Sequence, residues 1–150
     1  MPEPWTTERP KVLVITDDQD TGELLARLID RAGWTSDLAF SAPSGLSELE
    51  GGVPPYSALV VDMASSEQSI EVLRAVRENP ATHGLRVLIC SRSDTDRSEA
   101  WVTGADAWLV HPFDGDALVA EVAAVAARAD GARDAHRQEQ IGRSVPDALD

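Results

Sequence analysis

The sequence predicts an α/β domain built on a doubly wound parallel sheet, and two features of its pattern support that prediction. Five strand-like apolar runs alternate with five helix-like amphipathic runs along residues 11–128. Such alternation is typical of βαβ units, in which a helix connects two parallel strands. The third to fifth strands are apolar throughout, as expected for strands that helices cover on both faces.

Composition indicates one globular domain whose partners are proteins. The chain has 150 residues, of which 43% are hydrophobic, enough for a single core. Its 26 acidic and 13 basic residues give a net charge of −13, which repels nucleic acid and anionic lipid. The single cysteine, Cys90, excludes an internal disulfide bond and a cysteine metal site. No apolar stretch reaches the length of a membrane span and the first ten residues do not resemble a signal peptide, so we expect a cytoplasmic protein.

The first strand is predicted at residues 12–15, in the run VLVI. The helix after it is predicted to begin at Asp20, because Glu23 lies three residues further on and completes a capping box. Gly33 is expected to end this helix, since glycine accepts the left-handed backbone found at helix ends. The apolar face of the helix consists of Leu24, Leu25, Leu28 and Ile29.

The second and third strands are predicted at residues 36–40 and 58–63, with a short helix over residues 42–50 between them. The third strand is a continuous apolar run that ends near an acid. The helix that follows it carries apolar residues at helical spacing, namely Ile70, Leu73 and Val76. This helix is expected to end at Asn79, because a residue that precedes proline, here Pro80, disfavours the helical conformation.

The fourth and fifth strands are predicted at residues 87–91 and 107–111. Between them, a helix is predicted to begin near Asp96. Glu99 lies three residues later and completes a second capping box. Gly104 is expected to end that helix, as Gly33 ends the first one.

The last helix is predicted to begin at Asp114 and completes a domain over residues 11–128. Two segments lie outside this domain. Residues 1–10 are predicted to form an extended arm that carries Trp5. Residues 129–150 form a polar tail, which alone is expected to be disordered or marginally helical unless this chain or a partner holds it.

Acidic residues lie where this class of fold binds its ligands. In an open α/β sheet the ligand site is at the carboxyl ends of the strands, next to the point where the strand order reverses. The first strand ends at Thr16 and Asp17, and the third ends at Asp62. The cluster TDDQD can hold a metal ion or cap a helix, and both readings stay open for Asp17. We expect Asp20 to be the helix cap and Asp18 to face solvent.

Two segments resemble the receiver domain of bacterial two-component response regulators. KVLVITDDQDTGELLARLIDRAGW is similar to the opening strand and helix of that family, and GADAWLVHPFDGDAL is similar to its closing segment. The resemblance covers residues 11–128. It implies a flavodoxin-like fold, with a five-stranded parallel sheet in the order 2-1-3-4-5 and five flanking helices. It also implies a site where an aspartate on the third strand accepts a phosphoryl group next to Mg²⁺.

The resemblance assigns roles to four residues of this chain. Asp62 matches the phosphoacceptor at the end of the third strand, and Ser91 matches the hydroxyl residue of the fourth strand. Asp17 matches the second acid of the family's metal-binding pair, so Asp17 and Asp62 are the expected Mg²⁺ ligands. Trp108 matches the aromatic switch residue on the fifth strand, which reports the state of the site to the surface.

The chain also departs from the family. Thr16 replaces the first acid of the metal pair, His111 replaces the family's lysine, and the loop after Asp62 lacks the usual pattern. An unperturbed histidine has a pKa of about 6.5 and is mostly neutral at pH 7, whereas lysine is charged. The only lysine, Lys11, lies at the opposite end of the first strand. We therefore expect Mg²⁺ binding to be weak or absent. The family resemblance further implies a cis peptide bond between His111 and Pro112.

The leading hypothesis is an atypical, degenerate single-domain receiver that acts by protein–protein interaction, largely without phosphorylation, and is not an enzyme. No DNA-binding or catalytic output domain is expected outside residues 11–128, so output is expected to come from docking. The docking surface is predicted near Trp101, Trp108 and residues 129–150, because a partly exposed tryptophan suits a binding hot spot. Ordinary packing of the two tryptophans is the alternative.

Three other functions stay open. A phosphorylation-competent receiver would use Asp62 with Mg²⁺ and take its phosphoryl group from a histidine kinase in a phosphorelay. An accessory subunit of a larger assembly, such as respiratory NADH dehydrogenase, is a further alternative that no residue supports. A carrier of FMN would share the fold, but the three carboxylates in TDDQDTG would repel the phosphate of that cofactor.

Overall fold

The computed structural model describes residues 11–50 and 56–144 as five strands and six helices. In chain order these are β1 (Lys11–Thr16), α1 (Gln19–Arg31), β2 (Thr35–Ala39), α2 (Ala42–Glu50), β3 (Ala58–Asp62), α3 (Ser66–Glu78), β4 (Val87–Ser91), α4 (Arg97–Thr103), β5 (Ala107–Val110), α5 (Gly115–Ala127) and α6 (Asp130–Ser144). The predicted arm at residues 1–10, with Trp5, and residues 145–150 of the predicted tail lie outside the described residues. None of the described helices is long and apolar enough to cross a membrane.

The sheet confirms the predicted doubly wound fold. All strand pairs are parallel and the strand order is β2-β1-β3-β4-β5. The order reverses beside β1, so the switch point lies between β1 and β3. The register places Thr16 opposite Asp62, and it places Ser91 opposite Val110. We call the side of the sheet where these strands end the carboxyl edge, formed by Thr16, Asp62, Ser91 and His111.

The core consists of two apolar layers, one on each face of the sheet. Successive side chains of a strand point to opposite faces, so each buried strand contributes to both layers. One layer packs under α2, α3 and α4 and includes Leu13, Ile15, Leu59, Val61 and Ile89. The other packs under α1 and α5 and includes Val12, Val14, Val60, Leu88 and Cys90. Burial raises the pKa of the Cys90 thiol, which is consistent with an inert core residue.

The first helix begins two residues earlier than predicted. Its N-cap is Asp18, whose carboxylate accepts hydrogen bonds from the Thr21 amide (2.9 Å) and from the Thr21 hydroxyl. These bonds lower the pKa of Asp18, the hydroxyl contributing most. The predicted cap at Asp20 is therefore wrong, because Asp20 lies in the first turn, where its negative charge favours the helix dipole. Gly33 follows the end of α1 with φ 94°, as its predicted role requires.

The predicted capping box of α4 is also wrong. Asp96 is the N-cap residue but makes no capping bond with its side chain. Its carboxylate instead accepts a hydrogen bond from the hydroxyl of Ser66 at the start of α3, and Glu99 pairs with Arg74 at 3.2 Å. The capping box of this region belongs to α3, where Ser65 is the cap. A tertiary contact has thus replaced the local one that the spacing predicted.

Part of the predicted polar tail forms a sixth helix, α6, which packs against α4. The less exposed residues of α6 follow the helical spacing i, i+3, i+4, i+7, i+8. They are Arg133, His136, Arg137, Gln140 and Ile141. We expected the tail to be ordered only if this chain or a partner holds it, and in the structure this chain holds it. A hydrophobic pattern does not reveal such a helix, because four of these five residues are polar.

Candidate functional site

The carboxyl edge brings together three of the predicted site residues. Asp62 ends β3, Ser91 ends β4, and His111 follows β5 directly. The backbone amide of His111 donates to the carbonyl oxygen of Ser91 at 2.7 Å, which ties the ends of β4 and β5 together. The parallel ladder thus positions these side chains, and an insertion in any one strand would shift its residue off the edge.

Asp62 and His111 form a direct hydrogen bond. The Nε2 atom of His111 lies 2.7 Å from the Oδ2 atom of Asp62, and the two side chains are 19% and 3% exposed. The His111 ring packs on Phe113, with 4.6 Å between the ring centroids. The peptide bond from His111 to Pro112 is cis, which confirms the expectation. The ring is therefore held at both ends, by the carboxylate and by the aromatic side chain.

Burial raises the pKa of Asp62, because an ionised carboxylate loses hydration there. The hydrogen bond from His111 opposes that effect but does not overcome it, and the nearby charge of Asp17 adds to it. A receiver's phosphoacceptor must be ionised to attack. The arrangement thus leaves Asp62 with weaker support for its charged form than a lysine would give.

The residues expected to bind Mg²⁺ hold other partners. Asp17 is exposed, and its Oδ2 atom accepts a hydrogen bond from the Ala64 amide at 3.1 Å, which fixes the loop after β3. Thr16 is fully buried, and its hydroxyl oxygen accepts a bond from the Asp18 amide at 3.2 Å. Within residues 11–50 and 56–144, no three His, Cys, Asp or Glu side chains converge in a group that could hold a metal ion. Of the predicted ligands, Asp17 and Asp62 are the two carboxylates that this edge offers.

Ser91 is buried at the end of β4, and its hydroxyl oxygen accepts a hydrogen bond from the Ser93 amide at 3.3 Å. The next residue, Arg92, is exposed and is the site residue that sequence reasoning missed. Its positive charge lowers the pKa of Asp62, against the larger effect of burial. The signal was available, because a residue that follows the end of β4 must lie at the carboxyl edge. A guanidinium group can carry the same positive charge as the lysine that this position lacks.

The two tryptophans of the predicted docking surface are buried. Trp108 is 8% exposed, and its indole N–H donates to a carboxylate oxygen of Asp94 at 3.2 Å. Trp101 is 3% exposed and contacts the ring of His136 on α6. The expectation of partly exposed tryptophans is therefore wrong, and the alternative of ordinary packing holds, because both side chains belong to the core layer under α2, α3 and α4.

Comparisons with known proteins identify relatives of one kind. No protein-family model matches the chain. The transcriptional regulatory protein DltR of Streptococcus agalactiae is 27% identical over 113 residues, which are 75% of this chain and 50% of DltR. Other curated relatives are likewise transcriptional or response regulators, and the chain spans about half of their length.

Solved receiver structures share the fold. The receiver domain of the Francisella response regulator 1452 superposes with a TM-score of 0.70 at 27% identity, over 80% of this chain and 98% of that one. The response regulator TrrA of Thermotoga maritima, solved with Mg²⁺ and BeF, gives a TM-score of 0.68 at 21% identity, over 77% of this chain and 98% of TrrA. At that identity TrrA supports the fold alone.

Proposed function

We propose that the chain is an atypical response-regulator receiver of two-component signalling that docks to a protein partner largely without phosphorylation, and its similarity to DltR and to the Francisella receiver domain supports this assignment. The observation that carries this proposal is the 2.7 Å hydrogen bond between Asp62 and His111. In this arrangement the nucleophile is bound to an imidazole ring at the position where the family has a lysine.

The replacement of lysine weakens the chemistry of phosphoryl transfer. A lysine ammonium carries a permanent positive charge at pH 7, and charge-assisted hydrogen bonds to phosphoryl oxygens are about twice as strong as neutral ones. An imidazole does not supply that permanent charge. His111 also lies close enough to Asp62 to occupy the oxygen that would attack the phosphoryl donor. Both effects slow the formation of an acyl phosphate on Asp62.

The loss of one acid weakens the metal site as well. Mg²⁺ usually takes one or two protein carboxylates together with phosphate oxygens and water. Asp17 and Asp62 would be those ligands here, and the ion would neutralise the charge of the phosphoryl oxygens. The third position is Thr16, whose hydroxyl is bonded to the Asp18 amide. Since the acidic pair is incomplete, we propose that the ion binds weakly.

The test is intact-mass measurement after incubation with a small acyl phosphate donor and Mg²⁺. We expect Thr16→Asp/His111→Lys, which restores both family residues, to gain one phosphoryl group at least roughly tenfold faster than the wild type. A tenfold rate corresponds to about 1.4 kcal/mol, which one charge-assisted hydrogen bond can supply. Asp62→Asn is the negative control. Labelling of the wild type as fast as that of the restored variant would overturn the proposal.

His111→Lys alone covers the case in which the double variant does not fold, since Thr16 is fully buried and tolerates a charge poorly. His111 is partly exposed, so lysine can extend to solvent from its position. Circular dichroism confirms that each variant is folded. If a folded His111→Lys protein is phosphorylated no faster than the wild type, the proposal that His111 slows phosphorylation of Asp62 is wrong.

A working phosphorelay receiver is the second candidate, and one observation favours it. Arg92 places a permanent positive charge near Asp62 and favours its ionised form. Its guanidinium could supply the cation that His111 does not. This candidate predicts rapid labelling of wild-type Asp62 that Arg92→Gln abolishes. Slow labelling that Arg92→Gln leaves unchanged would exclude it.

A further inference from the structure

The side of the molecule opposite the carboxyl edge holds a second buried carboxylate, Asp106. Two arginines of α6 reach it. Arg133 donates from Nε and Nη2 to the two carboxylate oxygens at 2.9 and 3.2 Å, and Arg137 donates from Nη2 at 3.2 Å. Arg137 also donates to the carbonyl oxygen of Ala105 at 3.1 Å. We call the surface beneath these side chains the α6 seat, formed by Trp101, Ala105 and Asp106.

The attachment of α6 to this seat is mainly polar. Over residues 130–143, Arg133 is the only buried side chain, and Ile141 is the only apolar one that packs against the core. By contrast, α5 buries Leu118, Val122 and Val125. A helix held by guanidinium groups rather than by buried aliphatic side chains can exchange its contacts for water or for an equivalent helix.

The carboxylate of Asp106 keeps two partners outside α6. Arg77 of α3 donates to Asp106 at 2.9 Å, and the backbone amide of Val87 donates to the same oxygen at 2.9 Å. Release of α6 therefore removes the described donors to Oδ1 but leaves the charge of Asp106 paired with Arg77 through Oδ2, and loss of that counter-charge would make release more costly. Burial, together with the charges of Arg137 and Arg133, lowers the pKa of Arg77 to about 10 against the attraction of Asp106. Docked α6 thus crowds three guanidinium groups onto one carboxylate.

The α6 seat also contains a polar group that α6 does not satisfy. The indole N–H of Trp101 is buried and has no hydrogen-bond acceptor among the described residues. The same indole contacts the ring of His136, with 5.7 Å between the centroids. A buried donor without an acceptor opposes docking. A helix with a suitable acceptor near this position would bind the seat better than α6 does.

We propose that the α6 seat is the docking site for a helix of a partner protein that carries two arginines one turn apart, and that α6 occupies the seat until such a helix displaces it. This inference rests on the proposed docking function and names the chemistry of its partner. A second copy of the chain is a poor occupant, because each copy carries a net charge of −13. The same charge attracts a basic helix.

The test uses a fluorescent peptide of residues 129–144, added in trans to full-length protein and followed by anisotropy. The peptide is added to three proteins: the wild type, Arg133→Ala/Arg137→Ala, and Arg143→Ala. The double variant removes the bonds that hold α6 to Asp106. Arg143→Ala is the matched control on the same helix, since the partner of Arg143 within the described part of the chain is exposed Glu139. We expect the double variant to bind the peptide at least tenfold more tightly than the wild type and the control. Equal binding to all three proteins, or no binding to the double variant, would overturn the proposal.

Two peptide variants test the chemistry of recognition. Glutamine in place of the two arginines should abolish binding. Replacing Asp134 and Glu139 of the peptide by glutamine makes it more basic and should tighten binding, more so at low salt. If the glutamine peptide still binds, the seat does not recognise the arginines. If the more basic peptide does not bind more tightly, the charge of the protein does not attract the helix.

Three checks keep the outcomes distinct. If the double variant is unfolded, Arg137→Ala alone replaces it in the peptide-binding experiment. We then expect a smaller increase in the affinity for the peptide. Sedimentation of the wild type and variants tests for a second copy, and a dimer formed by exchange of α6 would overturn the assignment to a partner protein. The mass assay on Asp62 does not involve α6, so its result stands whether or not the peptide binds.

Discussion

Two buried aspartates at opposite ends of the sheet have opposite electrostatics. Asp62 and Asp106 are almost equally inaccessible, with side chains 3% and 1% exposed. Burial raises the pKa of Asp62, which has one imidazole partner. Burial also opposes the ionisation of Asp106, but bonds from Arg133 and the Val87 amide outweigh it and hold that pKa below its usual value. Because the two groups are about equally buried, their partners decide why one pKa is raised and the other is lowered.

The difference separates a reactive position from a structural one. Asp106 is held ionised by permanent cations and fastens α3, β4 and α6 to one another. Such a group cannot attack a phosphoryl donor, since its oxygens are all engaged. Among the described residues, Asp62 has one side-chain hydrogen bond, to the imidazole of His111. The carboxylate of Asp62 therefore has fewer fixed hydrogen-bond partners than the carboxylate of Asp106.

The largest expected effect comes from neutralising each aspartate in turn. Asp106→Asn should lower the free energy of unfolding by about 3–5 kcal/mol, because it leaves buried guanidinium groups without their counter-charge. Asp62→Asn should stay within about 1 kcal/mol of the wild type, because it loses one hydrogen bond and removes a charge that burial disfavours. Urea unfolding at pH 7 measures both. Losses of equal size would show that the two sites do not differ as their partners indicate.

A smaller effect is expected within the arginines of α6. Arg133→Ala should lower the free energy of release of α6 by about 1.5–3 kcal/mol, the range for hydrogen bonds to charged groups. Arg137→Ala should cost less, since Arg137 is the more exposed and makes fewer bonds. Arg143→Ala should cost less than about 0.5 kcal/mol, as exposed pairs do. Hydrogen exchange of the α6 amides measures all three, and a reversed order would contradict the geometry.

Periodicity predicted the fold well because the domain's core follows it. The apolar runs at β3 and β4 are buried on both faces and were placed within one residue of their ends. The same pattern put Asp62 and Ser91 at one edge, since parallel strands end together. Helix caps were harder to predict. Asp18 and Asp20 are both good caps, and only the exact winding of α1 selects Asp18.

Contacts between distant polar residues could not be predicted. The bond from Arg133 to Asp106 joins positions 27 apart in the chain, and no periodicity marks it. The contact between the indole of Trp101 and the ring of His136 on α6 is of the same kind, because no pattern in the sequence marks it. The direct bond from His111 to Asp62 was missed for a related reason. The resemblance supplied a lysine that contacts a phosphoryl group, not an imidazole that contacts the carboxylate itself.

The smallest expected effect is a pair of opposite pH slopes. An acid with a raised pKa binds more protons in the folded state than in the unfolded state. Asp62 therefore stabilises the fold most below pH 3.8, its ordinary pKa, and this contribution declines as the pH rises through its folded pKa. An acid with a lowered pKa behaves in reverse. The contribution of Asp106 is complete above 3.8 and is lost as pH falls through its folded pKa.

Each slope is limited to about 1.4 kcal/mol per pH unit, the value for one proton. The free energy of unfolding of the wild type minus that of Asp62→Asn should therefore fall as the pH rises above 3.8. The same quantity for Asp106→Asn should fall as the pH decreases below 3.8. Urea midpoints at a series of pH values supply both curves. Slopes of the same sign would mean that the imidazole and the guanidinium groups act alike on their aspartates. That result would contradict the assignment of Asp62 to a reactive site and of Asp106 to a structural one.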